Sequence, residues 1–258
     1  MFKIFRRVLA CFVDMMVVLI IVQTISSIPF INKSLDKYNK VYNNYFEYFS
    51  LYGDFLMDLE DYYEDKELGV EEYDKLVSDN DSYKELVDKY YVDGKLSSKN
   101  YDKLKVDVND IYLDNYKDTY YKLDKYSIVY NISYVVVTIL YFVGFNMITN
   151  GVTLGKKLTR LRIVNNNDNN GRVSIFSYLL RCVMLYQVIY YLFKGVFVNV
   201  LGISNYYTVS NIIYDLYSYL TFIILTFVIL RKDGRGLHDI LCKTKVIEVD
   251  RFGNEVVR

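Results

Sequence analysis

Apolar residues gather in four long runs, at 8–28, 127–149, 182–203 and 207–230. Each approaches the ~20 residues a helix needs to cross a ~30 Å hydrocarbon core. Pro29, the only proline, closes the first run. Between the first two runs the pattern changes to aromatic stripes in a charged background. Tyr38, Val41, Tyr42, Tyr45, Phe46, Phe49 and Tyr52 recur at helical spacing, and Ile111, Leu113, Tyr116, Tyr120 and Leu123 do so more loosely. Within this block, Glu67-Leu68-Gly69-Val70-Glu71-Glu72-Tyr73-Asp74-Lys75-Leu76 is echoed by Gly94-Lys95-Leu96-Ser97-Ser98-Lys99-Asn100-Tyr101-Asp102-Lys103-Leu104, as two similar helix starts would produce. The block reads as an antiparallel helical hairpin extending from the first two runs. Its tyrosines are read first as a packing seam, with a ligand or partner surface as the alternative. Further on, Leu161-Arg162-Ile163-Val164 alternates, an Asn-rich turn covers 165–171, and Arg172-Val173-Ser174-Ile175 is a candidate return strand. The stretch 244–249 is a second candidate partner for 161–164.

The pattern predicts an all-α membrane protein: four transmembrane helices, an inserted extracellular helical hairpin and a small cytoplasmic β element. Residues 1–31 and 127–250 form the membrane domain, 32–126 the insertion and 251–258 a tail. Charge sharpens this division. The chain carries no net charge, but 32–126 holds 23 Asp and Glu against 14 Lys and no Arg, a net of −9. Lys3, Arg6 and Arg7 precede the first run. Lys156, Lys157, Arg160, Arg162, Arg172 and Arg181 lie between the second and third, and Arg231, Lys232 and Arg235 follow the fourth. The link at 204–206 has no charge. Positive charge marks the cytoplasmic side, so both termini are expected inside and the acidic block outside. Asp14 within the first run, and the lack of an Ala-x-Ala-like site, predict a retained span rather than a cleaved leader.

Polar groups inside the runs are the candidate chemistry. Arg7, Ala10, Cys11 and Asp14 share one helix face, with Asp14 about 10 Å beyond Arg7. Ala10 is the only alanine in the chain, and a small side chain there lets another helix come close. A carboxylate at that depth is costly unless paired or protonated. Counted from the ends of their runs, Lys194 and Asp215 reach similar depth, which predicts an ion pair near the outer side. Asp14, Asn146, Gln187 and Thr226 fall in an inner polar layer. Together Asp14, Asn146, Gln187, Lys194 and Asp215 are the candidate ion or proton path. The competing reading is that they only hold helices together.

Cys11, Cys182 and Cys242 are isolated, without metal or redox spacing, and with a single histidine no metal site is expected. There is no nucleophile elbow, P-loop or HExxH, so an enzyme is the weakest class. No cofactor and no nucleic-acid partner are expected. The expected partners are a bilayer whose anionic headgroups meet Lys156, Lys157, Arg160 and Arg162, and either further copies of the chain or another membrane protein.

Three motifs carry a resemblance. They are Arg7-x-x-Ala10-x-x-x-Asp14 in the first run, Gly151-x-Thr153-Leu154-Gly155-Lys156-Lys157 after the second, and Leu237-His238-Asp239 with Thr244 near the end. In this order the chain resembles the RDD family of small bacterial membrane proteins, over about 1–31 and 127–250. The resemblance makes Arg7, Asp14 and Asp239 the namesake residues and implies a multi-pass protein of the bacterial plasma membrane. Some members look like monovalent-cation/proton antiporters, so membrane transport is the implied function. The alternative is a non-catalytic scaffold or sensor that binds a partner through its extracytoplasmic helices. Cys242 and Lys243 depart from the small residues usual before the threonine.

Overall fold

The computed structural model describes residues 2–63, 67–168, 172–231, 233–250 and 254–256. Lys232, the end of the Asn-rich turn, most of the 251–258 tail and the Lys3 side chain lie outside the described residues. The chain divides into two compact units, Met1–Leu35 with Asp124–Arg258, and Asp36–Leu123.

The chain opens with α1 (Phe2–Ser26) of the larger unit and then enters the smaller one. There α2 (Leu35–Tyr62), β1 (Glu67–Leu68), α3 (Val70–Asp79), a 3-10 turn (Asp81–Tyr83), α4 (Lys84–Tyr90) and β2 (Leu96–Ser97) lead to α5 (Ser98–Tyr126). The echoed segments are the two that pair. β1 and β2 are antiparallel with Leu68 opposite Leu96, and each strand leads within two residues into a helix. Leu68, Leu76, Leu96 and Leu104 join Phe55, Leu59, Val87 and Val108 in a dry core. Beyond it the aromatic stripes of α2 and α5 meet: Tyr63 stacks on Tyr101 at 3.9 Å, Tyr52 on Tyr112 at 4.0 Å, and Tyr45 lies 6.0 Å from Tyr116. Partners rise along one helix as they fall along the other, so the two run antiparallel.

The larger unit resumes with α6 (Ile128–Ile139), a π-helical turn (Leu140–Phe145) and α7 (Asn146–Ile148), which together make one run of spanning length. Then come α8 (Leu154–Thr159), β3 (Leu161–Asn165), α9 (Ile175–Leu185), α10 (Val188–Phe197), α11 (Ile203–Leu230), α12 (Leu237–Leu241) and β4 (Thr244–Glu248). β3 and β4 pair antiparallel, from Leu161 opposite Glu248 to Asn165 opposite Thr244. Among the described residues three helices are long and apolar enough to cross a membrane, Ile4–Ser26, Ile128–Ile148 and Ile203–Leu230. A fourth span exists if α9 and α10 count as one.

That third run departs from expectation. The helix starts at Ile175, where Ser174 caps it by accepting the Ser177 amide at 3.1 Å, so no strand forms at 172–175. It then breaks at Tyr186 and Gln187 and turns by 75° into α10. Gln187 sits at φ 52°, a left-handed conformation that ends one helix and redirects the next.

Candidate functional site

Asp14 is buried, and three neutral donors converge on it. The Tyr141 hydroxyl donates at 2.7 Å and the Gly155 amide at 2.7 Å, both to Oδ1, while the Thr153 hydroxyl donates to Oδ2. The Lys156 ammonium stands 3.9 Å from Oδ2 and donates to Thr153 Oγ1 at 3.0 Å. Local sequence explains this gathering. Thr153 precedes the first residue of α8, so the first-turn amides of that short helix point at the carboxylate. The π-helical turn carries Tyr141, whose hydroxyl reaches both Asp14 and the Leu154 amide. Gly155 permits the approach: a Cβ there would run into the Ala10 carbonyl oxygen and meet Asp14 Cγ at 3.0 Å. Ala10 is itself buried, so the smallness expected of it serves the contact between α1 and α8. Gly151, at φ 87°, lies where a Cβ would strike the Ile163 carbonyl, which keeps the turn into α8 close to β3.

Arg7 does not join Asp14. It donates to the backbone carbonyls of Gly234 and Val246 and so fastens α1 to the chain around α12 and β4. The second polar centre forms on Asp239, which pairs with Arg181. Arg181 also donates to Thr244 Oγ1 at 2.8 Å, Asp239 Oδ2 accepts the Gly236 amide at 3.3 Å, and His238 Nε2 lies 3.5 Å from the same oxygen. Arg181 is a site residue that the sequence does not single out, because it stands among the loop charges between the second and third runs. The signal was present: an apolar helix running from Ile175 places Arg181 well inside it, and the structure buries it.

Electrostatics separate the two centres. Burial pushes the Lys156 ammonium down to about 8, against the opposing pull of Asp14. Burial likewise carries His238 down to about 3, with Arg181 adding to the shift, which leaves the imidazole neutral at ordinary pH. Burial alone would raise the Asp239 carboxyl, but Arg181 holds it below its usual range. Lys156 and Arg181 also share the wall of a cavity of about 30 Å³ with Phe142, Asn146 and Tyr186, room for one water-sized group. Asn146 is buried. Its amide donates to the Phe142 carbonyl at 2.8 Å, and its Oδ1 has no hydrogen-bond partner among the described residues.

The expected layers are only partly assembled. Lys194 does not pair with Asp215. Its ammonium contacts Asp124 at 2.6 Å, at the end of α5, where Tyr206 also donates at 2.9 Å, and it lies 5.0 Å over the Tyr190 ring. Asp215 is exposed on α11. Depth counting failed because it took the third run to be straight. Asp124 went unseen because it closes the acidic block, although it is the last carboxylate before the second run. Thr226 is half-buried and donates to its own helix at the Phe222 carbonyl, 2.9 Å away. Gln187 has a backbone role at the bend. Lys156 is buried and not open to headgroups, Arg162 is half-buried and donates to the Asn150 carbonyl, and Lys157 and Arg160 remain exposed.

Comparison with known proteins returns one result. A model of the RDD family matches residues 108–243, a stretch that includes Gly151, Thr153, Gly155, Lys156, His238 and Asp239. The match begins within α5 and does not extend to Arg7, Ala10, Asp14 or Thr244. No curated protein and no solved structure matches the chain.

Proposed function

The chain belongs to the RDD family, and from that premise we propose that it exchanges a monovalent cation for a proton across a membrane, with Lys156 carrying the proton and Asp14 as its stationary counter-charge. The observation that carries this reading is the buried Lys156 ammonium, drawn down to about 8, at 3.9 Å from Asp14 and on the wall of a water-sized cavity. A lysine that loses its proton near neutral pH leaves the Asp14 carboxylate uncompensated. A monovalent cation then finds carboxylate and hydroxyl oxygens on Asp14 and Thr153, and the unpaired Oδ1 of Asn146 on the cavity wall. The proton role is therefore given to Lys156, while Asp14, whose Oδ1 accepts two hydrogen bonds and whose Oδ2 faces Lys156, stays the fixed carboxylate. Four short spans are few for a transporter, so the working form is an assembly in the membrane. The positive-charge pattern supports cytoplasmic termini and an extracytoplasmic 32–126 block, and the family resemblance supports the bacterial plasma membrane. Exposed Lys157 and Arg160 are the groups left to meet anionic headgroups. No residue is assigned a catalytic role.

The test is cation-driven proton flux in proteoliposomes with sodium, potassium or lithium gradients. Lys156→Met should lower flux at least 10-fold, and Lys156→Arg should do the same, since an arginine keeps its proton. Both proteins should elute as the wild type does in detergent. Wild-type flux from a well-folded Lys156→Met protein, or no flux from the wild type with any of the three cations, overturns the reading. The scaffold reading would then take its place. It is favoured by the three neutral donors on Asp14, which tie α8 to α1 with or without transport.

A further inference from the structure

The spanning helix α11 buries Tyr206, Ser210, Tyr217 and Ile224 against the rest of its unit. At 100° per residue the opposite face carries Ser204, Thr208, Asn211, Asp215 and Ser218, spaced four, three, four and three apart. That is the 3.5-residue period by which one helix follows another along a seam. Ser204, Thr208, Asp215 and Ser218 are exposed. The stripe is small and polar from Ser204 to Ser218, beyond which Phe222 continues the same face, while the adjoining side of the helix carries exposed Val209, Ile212 and Leu216. Short side chains that hydrogen-bond suit helix–helix contact in a bilayer and suit lipid poorly.

Asp215 turns this stripe into a specific requirement. It lies twelve residues from Ile203 and fifteen from Leu230, about 18 Å and about 22 Å from the helix ends. An aspartate side chain cannot reach an interface from that depth, and a charge facing hydrocarbon is strongly disfavoured. No hydrogen bond or ion pair reaches it among the described residues. The chain has no cation to spare for it within its described spans. Arg6 pairs with Glu248, Arg7 is held by two carbonyls, Arg181 pairs with Asp239 and Lys194 with Asp124. A second copy docked on the same face would set Asp215 against Asp215, a like-charge contact.

We propose that this face of α11 docks a transmembrane helix of a different protein, one that carries a lysine or arginine at mid-membrane depth. Asp215 supplies the ion pair, and Ser204, Thr208, Asn211 and Ser218 supply close approach and hydrogen bonds on either side. The interface is independent of the Lys156 site, on another helix, and stands whether or not the protein moves ions.

The probe is a synthetic 24-residue leucine–serine helix with one lysine at its centre, and an otherwise identical helix with leucine there. Both are reconstituted with the full chain in phosphatidylcholine vesicles, and association is read by energy transfer from a label at the chain's N-terminus. The lysine helix should associate at least 10-fold more strongly than the leucine helix. Asp215→Asn should remove most of that preference and Asp215→Leu all of it, while both variants keep wild-type stability because the side chain is exposed and makes no hydrogen bond or ion pair among the described residues. Equal association of the two helices with the wild type, or a lysine preference that survives Asp215→Leu, overturns the proposal. So does disulfide dimerisation of an Asn211→Cys chain that the lysine helix does not compete away, since the face would then belong to a second copy.

Discussion

The two units hold together by opposite means. The smaller unit buries leucine, valine and phenylalanine and places its charges at the surface, as in Lys105 with Glu60 and Lys89 with Asp107. The larger unit leaves Phe12, Ile20, Phe222 and Ile229 exposed and buries its charges instead, in the Asp14, Arg181–Asp239 and Lys194–Asp124 centres. Solvent explains the inversion. In water, removing apolar surface drives assembly at about 25 cal/mol per Å². In lipid that force between helices vanishes, because the tails are as apolar as leucine, and close packing with interhelical polar contacts takes over. A buried charge pair is therefore the natural tie in one unit and would be out of place in the other.

The largest break should come from leaving one half of such a tie alone. Lys194→Met strands the buried Asp124 carboxylate and should cost about 3–5 kcal/mol in detergent melts. Replacing both partners, Lys194→Met with Asp124→Leu, should recover most of that loss. A double variant as unstable as the single one would mean that packing, not charge, holds this corner. In the smaller unit the equivalent injury is a cavity. Leu76→Ala should cost about 3 kcal/mol, read as faster amide exchange confined to 36–123, with the spans unchanged. Loss of protection in α1 or α6 from the same substitution would show that the units do not stand apart. The smallest effect is a pH dependence. His238 has its pKa lowered by burial, to about 3, so the unfolded chain takes up the proton first as pH falls. Stability from this group is complete above pH 6.5 and declines toward pH 3, by about 2 kcal/mol at pH 5. His238→Gln should flatten that slope between pH 6.5 and pH 5, a window in which amides of the smaller unit should not report it, since the chain has no other histidine and the carboxylates titrate lower.

Much of the larger unit was legible locally. The positions of Pro29, Asp14 and Ala10 marked α1 and its polar face, and the glycines around Thr153 marked the turn into α8. The Gly151–Lys157 and Leu237–Asp239 motifs pointed to the family. The third run was misread at both ends. Arg172 and Ser174 look like loop and strand residues, but Ser174 is a cap, and the bend at Gln187 has no apolar–polar signature because both of its arms are apolar. From that one error followed the wrong partner for Lys194, the counting of Arg181 as loop charge, and the placing of Asp215 in a core it does not enter.

The helical character of most of the chain, three apolar lengths able to cross a membrane and the segregation of charge were determined by the sequence alone. They depend on side chains a few residues apart and on transfer from water to oil, both of which are local. Which carboxylate meets which cation was decided only by the tertiary structure. That choice depends on the rotation and depth of each helix, and a 75° bend or a π-helical turn resets both without leaving a mark in the hydrophobic pattern. Asp14 received Tyr141, Thr153 and Gly155, Lys194 received Asp124, and Asp215 was left facing outward.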